Sequence, residues 1–240
     1  MSMQWQTYAD PEAAAEACAQ HIRRLLEEAL DGHERATLAI SGGSTPKLLF
    51  RRLVASGFRW HRVHLFWVDE RAVPPDDAES NYRLAEENLI GPANIPPAQI
   101  HRIHAELPPG AAAQRYIEEI RAFFGLEEGE QPHFDVVHCG IGPDAHTASL
   151  FPGEPLIEDR THIAAALYVQ KMATWRITLL PGALLAARDI VFLVAGADKA
   201  EAVGQIFHQE FDPKRLPAQL ISRQGQRVTW FLDQSAAPEI

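Results

Sequence analysis

Apolar residues recur along this chain with two alternating periods. The first is helical. From Asp10, which can cap, and Pro11, which suits a first turn, residues Ala14, Cys18, Ile22, Leu25 and Ala29 fall on one face until Asp31 and Gly32 stop the run. Short unbroken apolar runs then predict strands at 36–41 (ATLAIS), 62–70 (RVHLFWVDE), 134–141 (FDVVHCGI), 162–169 (HIAAALYV), 176–180 (RITLL), 189–196 (DIVFLVAG) and 227–232 (RVTWFL). Between them, helical patterns fall at 47–57, 81–90, 111–125 and 197–207. Strands alternating with helices predict an α/β fold with a mostly parallel sheet flanked by helices. In such folds ligands collect in loops beyond the carboxyl ends of the strands.

No internal repeat or long flexible linker interrupts this order, so a single domain over 1–240 is expected; the Pro-rich stretch 92–109 is where a boundary would otherwise fall. With 46% hydrophobic and 22% charged residues the composition is that of a soluble domain, and the longest apolar runs, such as 189–197, are too short to span a membrane. The first residues lack the order of a secretion signal or transit peptide, which predicts a cytoplasmic protein; a monomer or weak homo-oligomer is expected. The two cysteines, Cys18 and Cys139, are expected as free buried thiols.

Charge narrows the ligand. Twenty-two Lys and Arg against 32 Asp and Glu give a formal charge of −10, which argues against a nucleic-acid partner. An anionic ligand would need a local positive pocket, so basic residues near glycine turns become candidates. The turn SGGSTP offers Ser41, Gly42, Gly43, Ser44 and Thr45 between a strand and a helix, where backbone N–H groups and hydroxyls can face a phosphate. It lacks Walker spacing and suits a sugar phosphate better than a nucleotide; the plain alternative is a tight turn capped by Ser44. Asp69 and Arg71 end the next strand, where Arg71 can grip a phosphate bidentately or pair with Glu70 on the surface. Lys199 stands in a first helical turn, where the helix dipole disfavours a cation and a negative partner is implied; Arg176, opening RITLL, is of the same kind.

The stretch GIGPDAHTASLFPG, residues 140–153, satisfies a dinucleotide pattern in its first half. Its second half brings a His, hydroxyls and a Pro-Gly break where a dinucleotide fold needs an apolar helix. Asp144 and His146 instead suit proton transfer, since imidazole titrates near neutrality. G-x-S-x-G and H-E-x-x-H are absent, and His101 with His104 make a poor metal pair, so water activated without a metal is the economical chemistry.

SGGSTP, DERAVPPDDAESNY, GIGPDAHTASLFPG, RITLLPGALLAARDIVFLVAGADKAEAV and LPAQLI, in this order and spacing, resemble the 6-phosphogluconolactonase family over most of the chain. The resemblance implies a Rossmann-like fold shared with glucosamine-6-phosphate deaminases, no required cofactor, and hydrolysis of 6-phospho-D-glucono-1,5-lactone in the pentose phosphate pathway. It implies that His146 is the general base and that Asp144 positions it or assists proton traffic. Ser41, Asp69 and Arg176 join the site, and Arg71, Gly42, Gly43, Ser44, Thr45 and Lys199 hold the phosphate. One residue departs: the family usually has Gly where Ala145 stands, and a positive φ there would strain Ala by about 1 kcal/mol or more. A deaminase would call for an aromatic at position 71 and a glutamate at position 151, where this chain has Arg71 and Phe151. A non-catalytic sugar-phosphate binding protein would keep the turns but need no poised histidine.

Overall fold

The computed structural model describes residues 2–237. Seven strands form one parallel sheet in the order β1-β10-β9-β6-β2-β3-β5. They are β1 (Ser2–Tyr8), β2 (Ala36–Ile40), β3 (Val63–Trp67), β5 (Ile100–His101), β6 (Val136–Cys139), β9 (Asp189–Val194) and β10 (Arg227–Asp233). A second, three-stranded sheet pairs β4 (Asp69–Arg71) with β8 (Thr174–Leu179) and β8 with β7 (Ala164–Val169), all antiparallel. The helices are α1 (Pro11–Gly32), α2 (Ser44–Ala55), α3 (Asn81–Ala85), α4 (Gly91–Ala93), α5 (Pro109–Phe124), α6 (Pro181–Leu185), α7 (Ala200–His208) and α8 (Pro217–Gln224). A π-helical turn, Glu86–Ile90, joins α3 to α4.

The amphipathic reading of α1 holds in detail. Asp10 Oδ1 accepts from Ala13 N at 2.8 Å, Pro11 opens the first turn, and Ala14, Cys18, Ile22, Leu25 and Ala29 are all buried. β2 and β9 are buried at every position, as strands covered on both faces should be. Cys18 and Cys139 are buried free thiols, and burial pushes the Cys139 thiol up to about 12.

Three features depart from the sequence pattern. β1, whose polar MQWQT reads poorly as a strand, is an edge strand paired along its whole length with β10. The run 62–70 divides: β3 stays in the main sheet, and past Val68 the chain swings Asp69–Arg71 into the second sheet. The strands at 162–169 and 176–180 form a hairpin in that sheet rather than joining the parallel one. LPAQLI lies largely within α8. Within the Pro-rich stretch 92–109, β5 pairs with β3 and extends the main sheet. Among the described residues no helix is long and apolar enough to cross a membrane.

β6 carries a buried histidine that bears on stability. His138 is wholly inaccessible, neither ring nitrogen has a hydrogen-bond partner, and burial pulls its pKa down to about 4. The folded pKa lies below the unfolded value of about 6.5. Its neutral form therefore supports the fold above that value, and this support is lost as pH falls toward 4. Between pH 7 and 5 the loss from this residue comes to about 2 kcal/mol. His138→Leu should shrink the pH 7-to-5 drop in urea-unfolding free energy by that amount. An unaltered drop would mean that His138 is not held neutral by the fold.

Candidate functional site

The loops after β2, β3 and β6 meet at the carboxyl edge of the sheet, beside the switch in strand order between β2 and β6. They enclose a cleft of about 100 Å³ into which Ser41, Gly42, Asp69, Arg71, His146 and Arg176 project, joined by Asn81 from α3. Gly42 is required by close packing: a Cβ there would stand 1.8 Å from Asn81 Oδ1. Asn81 Nδ2 donates to the Asp69 carbonyl at 2.9 Å, which fixes the amide and leaves Oδ1 above Gly42.

Arg71 and Arg176 are direct partners across the β4–β8 pair. Both have a buried Nε with no hydrogen-bond partner. Arg71 Nη1 donates to the Glu79 carbonyl at 2.5 Å; Arg176 Nη1 lies 4.0 Å from Asp69 Oδ2 and its Nη2 donates to Met172 Sδ at 3.2 Å. Burial pulls the Arg176 pKa below its usual value, Asp69 opposes this and Arg71 adds to it. Like charges opposite each other on adjacent strands are unfavourable, so this pair makes a cleft primed for an anion. Glu70 does not neutralise Arg71. Its buried carboxylate accepts from the backbone N–H groups of Arg71, Asn81 and Tyr82 and from Ser80 Oγ, tying the loop 71–82 into place.

The histidine loop folds back on itself. Gly142 N donates to the His146 carbonyl at 2.9 Å, Ala145 N donates to the Gly142 carbonyl at 3.0 Å, and a Cβ on Gly142 would stand 2.0 Å from His146 Nδ1. His146 Nδ1 and Asp144 Oδ1 are 2.5 Å apart, and Lys171 Nζ donates to Asp144 Oδ2 at 2.9 Å. Burial pushes the Asp144 carboxyl up, but the bonds from His146 and Lys171 outweigh it and hold the group well below the usual carboxylate range. An ionised Asp144 can only accept, so Nδ1 of His146 carries a proton, and the neutral form of the ring would keep its lone pair on Nε2. The Phe151 ring lies 4.2 Å from the imidazole, 31° from parallel.

Ala145 has φ 62° and is fully buried, so the departure noted in the sequence is a left-handed alanine. Its carbonyl accepts from Ala218 N at 3.0 Å, at the start of α8, and Gly153 N donates to the Lys214 carbonyl at 2.8 Å. The segment 214–218 thus braces both ends of the loop. Ser149 Oγ donates to Asp69 Oδ2 at 2.7 Å, linking the loop to the arginine strand.

Not every candidate from the sequence meets in the cleft. Gly43, at φ 117°, is the N-cap of α2, and no side chain caps that helix; Ser44 opens it and is exposed, and Thr45 follows. These three and Lys199 do not line the cleft. Lys199 Nζ bonds Asp198 Oδ2 at 3.0 Å, so the negative partner implied for it is its own neighbour. Asp144 stands behind His146, on the wall of a neighbouring hollow shared with Phe151 and Lys171. Asn81, Lys171 and Ser149 were not singled out by sequence pattern. Asn81 and Ser149 lay inside quoted motifs, whereas Lys171 had no local signal. Among the described residues no three His, Cys, Asp or Glu side chains converge as a metal ligand set.

Residues 9–230 match the model of the family described as glucosamine-6-phosphate isomerases/6-phosphogluconolactonase. A 6-phosphogluconolactonase from Synechocystis is 39% identical over 218 residues, 90% of this chain and 89% of that protein. The solved 6-phosphogluconolactonase of Trypanosoma brucei superposes with a TM-score of 0.87 at 26% identity, covering 99% of this chain and 98% of that one. A monomeric glucosamine-6-phosphate deaminase shares the fold, with a TM-score of 0.82 at 20% identity and 98% of each chain covered.

The left-handed alanine sets a stability test. Ala145→Gly removes about 1–2 kcal/mol of left-handed strain and loses a buried methyl of about 0.8 kcal/mol, so its urea-unfolding free energy should stay within about 1 kcal/mol of the parent. Ala145→Val, β-branched at positive φ in a filled site, should lose about 2 kcal/mol or more. A tolerated valine would show that the loop does not hold this backbone in solution.

Proposed function

The chain belongs to the family of glucosamine-6-phosphate isomerases and 6-phosphogluconolactonases, and we propose that it is a lactonase of that family, hydrolysing 6-phospho-D-glucono-1,5-lactone to 6-phosphogluconate. The observation that carries this reading is the ionised Asp144 bonded to His146 beside an arginine-lined anion cleft. The deaminase reading lacks a proton-transfer group at position 151, where the Phe151 ring lies against the imidazole instead. A pure binding protein leaves the Asp144–His146 pair without a use.

In this reading Arg71 and Arg176 hold the phosphate, with the Ser41–Gly42 turn and Asn81 beside them. His146 Nε2 takes a proton from water as the water oxygen bonds to the lactone carbonyl carbon, and Asp144 stabilises the imidazolium that forms. When the tetrahedral intermediate collapses, the bond from the carbonyl carbon to the ring oxygen breaks and the imidazolium returns a proton to that oxygen. The acid product then ionises to the carboxylate. No step calls on a cofactor. Lys199, Gly43, Ser44 and Thr45, which the family resemblance adds to the phosphate site, stand close along the chain to this edge of the sheet but do not line the cleft. A cytoplasmic protein acting as one domain over 1–240, monomeric or weakly self-associating, fits this role.

Two assays test it. Acid release from the phosphorylated lactone, above its spontaneous hydrolysis, is expected without ammonia release from glucosamine 6-phosphate; ammonia would overturn the reading. His146→Ala should lower kcat by about 10²–10⁴-fold with phosphate affinity retained. Arg71→Ala should weaken substrate and product alike, by about 1.5–3 kcal/mol, and product affinity unchanged by calorimetry would remove Arg71 from the pocket.

A further inference from the structure

The β7–β8 hairpin turns through a 3₁₀ segment, Gln170–Met172, closed by Ala173 at φ 49°. The hairpin tip touches both halves of the site. Lys171 bonds Asp144, and the next residue, Met172, places its thioether 3.2 Å from Nη2 of Arg176. Arg176 is almost wholly buried, and its guanidinium is poorly served: Nε has no partner and Nη1 has only Asp69 at 4.0 Å. A thioether is a weak acceptor, so the contact occupies Nη2 without satisfying it. Met172 is itself 49% exposed, whereas Cys18 and Cys139 are buried and Met3 is partly buried with Sδ accepting from Ser222.

We propose that Met172 is an oxidation site that controls the anion cleft: conversion of its thioether to the sulfoxide, by a peroxide, gives Arg176 a strong internal acceptor and weakens phosphate binding. The sulfur lone pair attacks one peroxide oxygen, the O–O bond breaks, and the second oxygen departs with both protons as water. Sulfur loses the two electrons that the peroxide gains, and no further reactant is needed. The product S=O oxygen lies on the sulfur that already faces Nη2, so it competes for the donor that a bound phosphate would use. Sulfoxide reductases acting on each epimer, with a dithiol as reductant, would restore the thioether and the free guanidinium. The exposure that admits the peroxide also admits the reductase, since the residue lies at a hairpin tip and not in the core.

The proposal rests on Arg176 belonging to the anion cleft, and phosphate binding is therefore read separately from turnover. The full chain is treated with hydrogen peroxide until peptide mass spectrometry shows one added oxygen on Met172. Affinity for inorganic phosphate and for 6-phosphogluconate is then measured by calorimetry, alongside KM and kcat on the lactone. Treated protein should bind both anions about tenfold more weakly and show a raised KM with kcat much less affected, and the two epimer-specific reductases together should reverse this. Met172→Leu should bind equally well before and after peroxide, and Met172→Gln, with an amide oxygen in place of the sulfoxide, should be weakened without any oxidant. Full oxidation of Met172 with unchanged anion affinity overturns the proposal, and so does an equal peroxide loss in Met172→Leu. If the untreated chain shows no lactone turnover, the lactonase reading fails, while the phosphate-binding contrast still decides the role of Met172.

Discussion

Arg71 and Arg176 face each other across two antiparallel strands, and two guanidinium charges so placed repel unless something negative lies between them. Asp69 offers only a partial answer at 4.0 Å, and Glu70, which lies nearer in sequence, is committed to four other donors. The fold accepts this unfavourable pairing and secures it from every side. Glu70 ties down the loop that follows Arg71, Ser149 holds Asp69, and Asn81 packs against Gly42 so closely that only glycine fits there. An anion in the cleft would relieve a repulsion that is present before it arrives, which is binding energy the chain stores in its own framework.

The histidine loop depends on a different compromise. His146 must lie back over Gly142 to reach Asp144, and that path sends residue 145 through the left-handed region, where an alanine is strained. The strain is held by hydrogen bonds from segments distant in sequence, with Ala218 N on the Ala145 carbonyl and the Lys214 carbonyl accepting from Gly153 N. Lys171 completes the arrangement by bonding the second Asp144 oxygen, which leaves the carboxylate ionised and fixed toward the imidazole. The Asp144–His146 pair and the arginine cleft are thus joined through one hairpin, since Lys171 bonds Asp144 and β8 carries Arg176.

Local periodicity was enough to find α1, β2, β6, β9 and β10, because each buries a face or a whole strand and the apolar spacing records it. It could not divide 62–70 between two sheets: no Gly or Pro marks the break at Val68, and only the distant partner β8 draws Asp69–Arg71 away. β1 was hidden for a related reason, as an edge strand draws its support from β10 and needs little hydrophobic pattern of its own. In the site, His146 with Asp144 and Arg71 were legible as chemistry near strand ends. Lys199 looked similar by that rule, yet it pairs with Asp198, a preference decided by side-chain direction and not by spacing. Lys171 and Met172 matter only through contacts with residues 27 and 4 positions away, and sequence spacing carries no trace of such contacts.

The acidic whole and the basic cleft act over different distances. A formal charge of −10 repels an anionic substrate at long range, but at physiological salt that field fades within about 8 Å, and inside the cleft the two arginines dominate. The proposed lactone hydrolysis turns a neutral ester into a carboxylate, so the product carries one negative charge more than the substrate. In that proposal the phosphate is common to substrate and product, so the carboxylate is the charge that distinguishes them. On the proposed reading capture rests on the arginine pair, which acts well within that screening distance. The net charge that argues against a nucleic-acid partner is therefore compatible with a small anion held at short range by two facing arginines.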